Sequence, residues 1–339
     1  MHLELVVPAL FAAQDAPPAP VPALELLLAR SRRTAGEPSS LERWLCAAFG
    51  LAGGGPAGNP AAPVGALTAL AHELDPGPQR WLRADPVHLR AARDHLVLVP
   101  NQAFAVSAAE ADALAASLGP LLAGRFTLYP VTPEQWCLRI EDQDQSEAGA
   151  DAPIELAGAH IDAHQGSKRW HALLTELEMA LHEHPVNMAR EARGDPAINS
   201  LWLWGAGAQP AAANGPWQSV VAEDPVALGL ARLAGMRHRV PGGGAAHWLE
   251  RAPEDGRHLV VLDSLRGARA LGDLDAFAQR LQALEGGWFA PLLAALKAGR
   301  IGMLTLHAPE AAASFEAVRG DLRRFWRRTR PLASYAIRA

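Results

Sequence analysis

From about residue 195 to the end, short apolar runs alternate with segments of helical spacing. "INSLWLWGAG" is a strand that ends in a glycine turn. Helices are expected over 224–235, over 273–299 (long or broken) and over 314–328. Strands are expected within 236–244, 257–265, 300–307 and 332–338. Parallel strands need crossovers, and helical crossovers cover the faces of the sheet they connect. The alternation therefore implies a mainly parallel sheet covered by helices. "LELVVPAL" at 3–10 is short and apolar enough to join it as a buried strand.

The middle of the chain reads differently. "WLRADPVHLRAARDHLVLVP" (81–100) holds two strand candidates, and "RFTLYPVTPEQWCLRI" (125–140) a pair around a turn. A capped helix is expected at 107–122 and an amphipathic one at 167–184. Gly- and Pro-rich loops are expected at 52–65, and an acidic loop at 142–153. Near the N-terminus, 23–32 and 39–51 have helical spacing, the second with a Ser cap followed by Glu42. These features place an inserted α+β subdomain at 79–183 within an α/β domain of residues 1–78 and 184–339.

Composition narrows the function. Of 339 residues, 49% are hydrophobic and 20% charged, with a formal net charge of −5. No global basic field favours nucleic acid or an anionic membrane. The local run "RGDLRRFWRRTR" (319–330) reads as the solvated face of an amphipathic helix, or else as a patch for nucleic acid or an acidic partner. Cys46 and Cys137 have no ligand spacing and read as reduced, buried thiols. The N-terminus lacks a basic n-region, and no apolar stretch is long enough to span a membrane, so a cytoplasmic location is expected.

One stretch is rich in polar groups suited to a site. "HPVNMAREARGDPAINSLWLWGAG" (184–207) carries His184, Asn187, Arg190, Arg193 and Asn199. Arginine can grip a phosphate or carboxylate with two parallel hydrogen bonds. These five are the candidates for binding a small phosphorylated or carboxylate ligand; the other reading is a polar network that locks the backbone. Trp202 and Trp204 lie two apart on a strand and so share a face, where packing is expected. "GAG" (205–207) and "GGG" (242–244) fit no phosphate loop. His160, His164, His171, His182 and His184 form a local histidine density, but a metal site needs three or four convergent ligands.

The 184–207 stretch resembles the archaeal-type cofactor-independent phosphoglycerate mutases of the alkaline phosphatase superfamily. Those enzymes carry a similar HPVN, an Arg and a Trp-x-Trp-Gly-x-Gly strand. "RADPVHL", "VSAAEADAL" and "LAGMRHRVPGGG" extend the likeness weakly over most of the chain. The wording also resembles bacterial proteins described as an RpfE-type regulatory family, a degenerate relative of the mutases. The resemblance implies an α/β, alkaline-phosphatase-like fold, with a mainly parallel sheet covered by helices and an inserted α+β subdomain.

The resemblance also implies two divalent metals, held by Asp and His just past the strand ends, beside a Ser or Thr nucleophile. Metals of this kind activate a hydroxyl and neutralise phosphoryl oxygens. Few of those ligands remain. The first strand runs into Val7, Pro8, Ala9 and Leu10, with Asp15 only later. The nucleophile region offers only Thr68. Asp263 survives after "RHLVVL", but Arg266 and Arg269 stand where further ligands are expected. After "IGMLTL" only His307 is left.

The chain therefore reads as a non-catalytic, pseudoenzyme form of the mutase scaffold, with a regulatory or small-anion-binding role and no metal site or cofactor. An alternative is an active mutase or phosphatase with an altered Mn or Zn site using Asp263 and His307. A third is a protein-interaction module that uses 319–330 on a protein partner.

Overall fold

The computed structural model describes residues 1–11, 19–51, 62–92, 96–141, 152–157, 160–161, 168–252 and 255–335. The chain folds as two compact units, one of residues 1–51 and 212–339, the other of residues 52–211. Residues 1–51 contain β1 (His2–Val6), α1 (Pro22–Arg30), β2 (Arg32–Ala35) and α2 (Leu41–Ala48). Residues 52–211 contain α3 (Val64–Ala71), β3 (Arg80–Ala91), β4 (Leu96–Val99), α4 (Ala108–Leu122), β5 (Phe126–Pro130) and β6 (Trp136–Ile140). β7 (His160–Ile161), α5 (Lys168–His182), α6 (Pro185–Arg193) and β8 (Ser200–Ala208) follow. The remainder holds β9 (Ser219–Val221), α7 (Pro225–Leu233), β10 (Arg237–Arg239), α8 (Gly244–Arg251) and β11 (Arg257–Val261). It ends with α9 (Leu265–Ala270), α10 (Leu274–Leu284), α11 (Ala290–Ala298), β12 (Met303–Ala308) and β13 (Ala313–Val318).

The first unit is built on a seven-stranded sheet in the order β10-β9-β11-β1-β12-β13-β2. The pairings from β10 to β12 are parallel, and β13 and β2 close the far side antiparallel. β1 lies at the centre, and Leu3, Leu5 and Val6 are fully buried, with the buried Glu4 between them. Helices α1, α8, α10 and α11 contribute to the core on this sheet. This is the α/β class of the sequence, a mostly parallel sheet covered by helices, with an α+β unit inserted in the chain.

The segment 274–298 is a single helical run broken by a π turn at Glu285–Phe289. Glu285 at this turn is buried and accepts from the amides of Ala23 (2.6 Å) and Leu24 (3.1 Å). It thereby caps α1, whose own N-cap residue, Val21, has no side chain able to do so.

The second unit is antiparallel. β3 is central, pairing with β6 and β8 along its first part and with β4 at its end. α3 lies close on β3 and β8. A Cβ at Gly65 would sit 2.4 Å from the Leu82 backbone, and one at Gly205 would sit 2.5 Å from Val64 Cβ. The glycines of "GAG" thus admit a helix rather than a phosphate. Trp202 and Trp204 are both buried, as packing requires.

The structure differs from the sequence reading at several places. The compact units divide at 51/52 and 211/212, not at 78/79 and 183/184. α3, α6 and β8 belong to the second unit because β8 is laddered to β3 and α3 packs on both. Residues 314–328 are not a helix. β13 buries Ala313, Phe315 and Ala317 alternately, a period of two, and Gly320 begins a turn. The expected last strand at 332–338 starts as a 3-10 turn over Leu332–Tyr335, with Ser334 Oγ bonded to Pro331 O. α6 was not foreseen, although Pro185 at its first position and Gly194 in the left-handed conformation mark both its ends. Most of the 52–65 loop, the 142–153 loop and His164 lie outside the described residues, as does Asp15.

Candidate functional site

In open α/β sheets, ligands bind outside the carboxyl ends of the parallel strands. In the first unit, those ends carry Glu223 and Asp224 after β9, Asp263 after β11, and Glu310 after β12. Glu42 in the first turn of α2 and Arg266 in α9 complete the group. Arg266 Nη2 lies 2.9 Å from Glu42 Oε1, and both side chains are largely buried. The other acids are also engaged. Asp224 caps α7, accepting from Ala227 N at 2.9 Å, and Glu310 accepts from Ala9 N at 3.1 Å.

The electrostatics follow from one cation among several acids. Burial raises the Glu42 carboxyl, but the Arg266 guanidinium and hydrogen bonds outweigh it and hold Glu42 below the usual range. Burial, then the neighbouring Glu42 and Asp263 charges, push Asp224 up to about 7. Asp263 and Glu310 are raised by burial too, and Arg266 opposes the shift in both. The group thus carries its own positive charge on Arg266.

His307, the second residue expected here, faces elsewhere. Its Nε2 lies 3.3 Å from Glu4 Oε2 and its Nδ1 lies 2.8 Å from Ser314 Oγ, so both ring nitrogens have partners. Glu4 also binds Arg257 at 2.6 Å. Burial opposes ionisation of Glu4, yet the His307 and Arg257 bonds prevail and hold it at about 2. Asp263 and His307 therefore serve two different polar groups.

The pair of divalent metals implied by the mutase resemblance does not fit this donor set. A guanidinium already contacts Glu42, while Asp224 and Glu310 accept from backbone amides. Each ion would need several free oxygen or nitrogen donors. Among the described residues, no three of His, Cys, Asp or Glu are grouped to hold an ion. Thr68, the only hydroxyl of its region, is fully buried in α3 of the second unit, 3.5 Å from Arg83 Nη1.

The five candidates for anion binding all fall in the second unit, four of them on α6 or its N-cap, and Arg190 and Arg193 meet at Glu110. Arg190 is 1% exposed. Its Nε donates to Pro196 O (2.7 Å) and its Nη1 to Ala105 O (3.0 Å) and Glu110 Oε1 (3.1 Å). Arg193 binds the same Glu110 oxygen at 2.9 Å, and Asp195 as well. Asn187 donates to Leu181 O and Ile198 O and accepts from Ile198 N, each at 2.8 Å. His184 caps α6 by accepting from Val186 N through Nδ1, which leaves the proton on Nε2 for Ser117 Oγ. Asn199 exchanges two bonds with the Leu89 backbone. It borders a groove of about 500 Å³ whose wall includes Glu178 and Glu183, the wrong sign for an anion. In this structure the side chains of Asn187, Arg190 and Asn199 bond the backbone around α6 and β8.

Sequence reasoning missed a second buried network. Arg83 Nε binds Asp85 Oδ1 at 2.9 Å, and Trp204 Nε1 donates to Asp85 Oδ2 at 2.8 Å. Arg83 also lies over the Trp204 ring. The "RAD" triplet on a strand, two apart and so on one face, was the available signal. Cys46 and Cys137 are both buried free thiols, pushed up to about 12 chiefly by burial.

Comparisons with known proteins bear on the fold. No protein-family model matches the chain. No curated protein matches it in sequence. Among solved structures, the chain is similar to the PH0037 protein from Pyrococcus horikoshii, with a TM-score of 0.55 and 15% identity over 94% of this chain and 87% of that one. A cofactor-independent phosphoglycerate mutase from Thermoplasma acidophilum DSM 1728 also matches, with a TM-score of 0.45 and 18% identity over 99% of this chain and 95% of that one. Among the described residues, no helix is long and apolar enough to cross a membrane.

Proposed function

We infer that this chain is a phosphoglycerate-mutase-like protein that acts by binding, in a regulatory role, and does not transfer phosphoryl groups. The mutase-like HPVN and Trp-x-Trp-Gly-x-Gly stretch supports the ancestry, and the α/β architecture is compatible with it. The observation that carries the loss of catalysis is the Arg266–Glu42 ion pair at the carboxyl end of the parallel sheet. A resident guanidinium supplies the charge that a metal would bring, but it has no open coordination position and cannot acidify a bound nucleophile.

The test combines metal binding with turnover. Mn²⁺ should leave the melting temperature of the protein unchanged, since only a ligand of the native state raises it. Interconversion of 2- and 3-phosphoglycerate should stay at the uncatalysed rate with Mn²⁺, Mg²⁺ or Zn²⁺ present. Robust turnover that Asp263→Ala abolishes would establish the altered-site enzyme instead.

A further inference from the structure

The segment after β13 builds a basic groove that neither the metal question nor the α6 network touches. Residues 326–335 lie against the end of α1, the edge strand β2 and Phe315 of β13, bordering an open groove of about 880 Å³. That is within the size range of small-molecule sites, about 300–1,000 Å³. The segment is pinned in place. Arg327 Nη1 donates to Ser31 O at 2.8 Å, and Leu332 N donates to Glu25 Oε1 at 3.2 Å. The floor is apolar, made by Leu28, Ala29 and Phe315.

The walls carry Arg32, Arg33, Arg327, Arg328 and Arg330, and among the described residues no acid lines the groove. Arg32 is paired with Glu316 at 2.7 Å. Arg33 lies over the Phe315 ring, 5.6 Å from its centroid. Among the described residues, Arg33, Arg328 and Arg330 have no carboxylate partner. Nearby acids are committed elsewhere: Asp321 pairs with Arg324 at 2.6 Å, and Glu25 holds the Leu332 amide. Guanidiniums gathered without counter-ions are matched to phosphate oxygens, which they bind in pairs.

An aromatic surface stands beside them. Trp326 lines the groove and is 66% exposed, although a large apolar ring left in water is costly. Phe325 meets it edge-on, with ring centroids 5.3 Å apart. An exposed indole beside arginines that lack carboxylate partners suits a ligand with a flat ring at one end and several negative charges at the other.

We propose that this groove is a binding site for a nucleoside polyphosphate, with the base stacked on Trp326 and the phosphates gripped by Arg33, Arg328 and Arg330. A groove of this size with an apolar floor favours a single nucleotide over a nucleic-acid strand, which needs a track that runs on past one site.

Calorimetric titration of the full chain with ATP and GTP tests this, with inorganic triphosphate, adenosine and a short single-stranded oligonucleotide as further arms. Saturable one-to-one nucleotide binding is expected, weakening as salt rises. Because a hydrogen bond to a charged group contributes substantially, R328E/R330E should weaken it about tenfold or more. Trp326→Ala should weaken ATP about fivefold or more while leaving triphosphate unchanged, since only the base stacks. These side chains are exposed, so the variants should keep the far-UV circular dichroism of the parent protein. No saturable nucleotide binding, or binding indifferent to the arginine reversal, overturns the proposal. So does a triphosphate affinity equal to that of ATP, or an oligonucleotide that binds more tightly than either nucleotide.

Discussion

Arg266 and Glu42, far apart in the chain, meet at 2.9 Å at the carboxyl end of the parallel sheet. The pair is partly desolvated, and Asp224, Asp263 and Glu310 all feel the guanidinium. Removing one partner of such a pair leaves an uncompensated charge. Arg266→Met should therefore cost about 3–5 kcal/mol of stability, whereas replacing both partners with apolar residues should cost far less. Urea unfolding of the two single variants and the double variant measures this. The same Arg266→Met protein should gain affinity for Mn²⁺, seen as a metal-dependent rise in melting temperature that the parent protein lacks.

Two buried acids give stability opposite pH slopes. Asp224 in the folded state titrates at about 7, against an ordinary 3.8. Between those values the folded chain holds a proton that the unfolded chain has lost, so stability falls as pH rises toward 7. Glu4 titrates at about 2, against 4.5, so its contribution is intact above 4.5 and is lost as pH falls toward 2. Asp224→Asn should keep the α7 cap and flatten the fall toward neutral pH. Glu4→Gln should flatten the acid limb. Unfolding free energies measured across this pH range check both signs.

Arg190 should behave as a structural residue. Its donors satisfy two backbone carbonyls and one carboxylate inside the second unit. Arg190→Met leaves those acceptors unpaired and should destabilise the chain by about 3–5 kcal/mol. Hydrogen exchange would show the loss of protection concentrated in α6 and the turn to β8. A large loss of phosphate affinity with stability unchanged would contradict this.

Glu285 caps α1 from a distance, and its loss strands the amides of Ala23 and Leu24. Glu285→Ala should cost about 1–3 kcal/mol. Glu285→Gln, which still offers one acceptor oxygen, should recover part of this in the same denaturation assay.

Much of this architecture was legible because it rests on local signals. Ser107 and Glu110 form the capping box that their spacing announces. The buried run at β1 and the alternation after β8 gave the parallel sheet its place. Where two signals compete, the reading failed. In "SFEAVRGDLRRFWRR" the arginines have helical spacing, but Phe315 and Ala317 obey a period of two and the sheet edge takes them. At α6 the polar residues were conspicuous as chemistry, although Pro185 and Gly194 already marked a helix. Asp263, Arg266 and His307 could be located from their strand ends. That Glu42 is the acid facing Arg266, and that Glu4 takes His307, are long-range pairings with no trace in local spacing.

The amide of Asn214 reaches the carbonyl of Phe49 at 2.9 Å. The chain leaves the parallel-sheet unit and comes back to it at a single stitched seam. Everything between Leu51 and Ala212 is therefore a cassette in the engineering sense, removable by joining two neighbouring loose ends with a short bridge. Such a shortened chain should still assemble the sheet around β1. A lineage could likewise have swapped or remodelled the whole cassette without disturbing a single strand of its host.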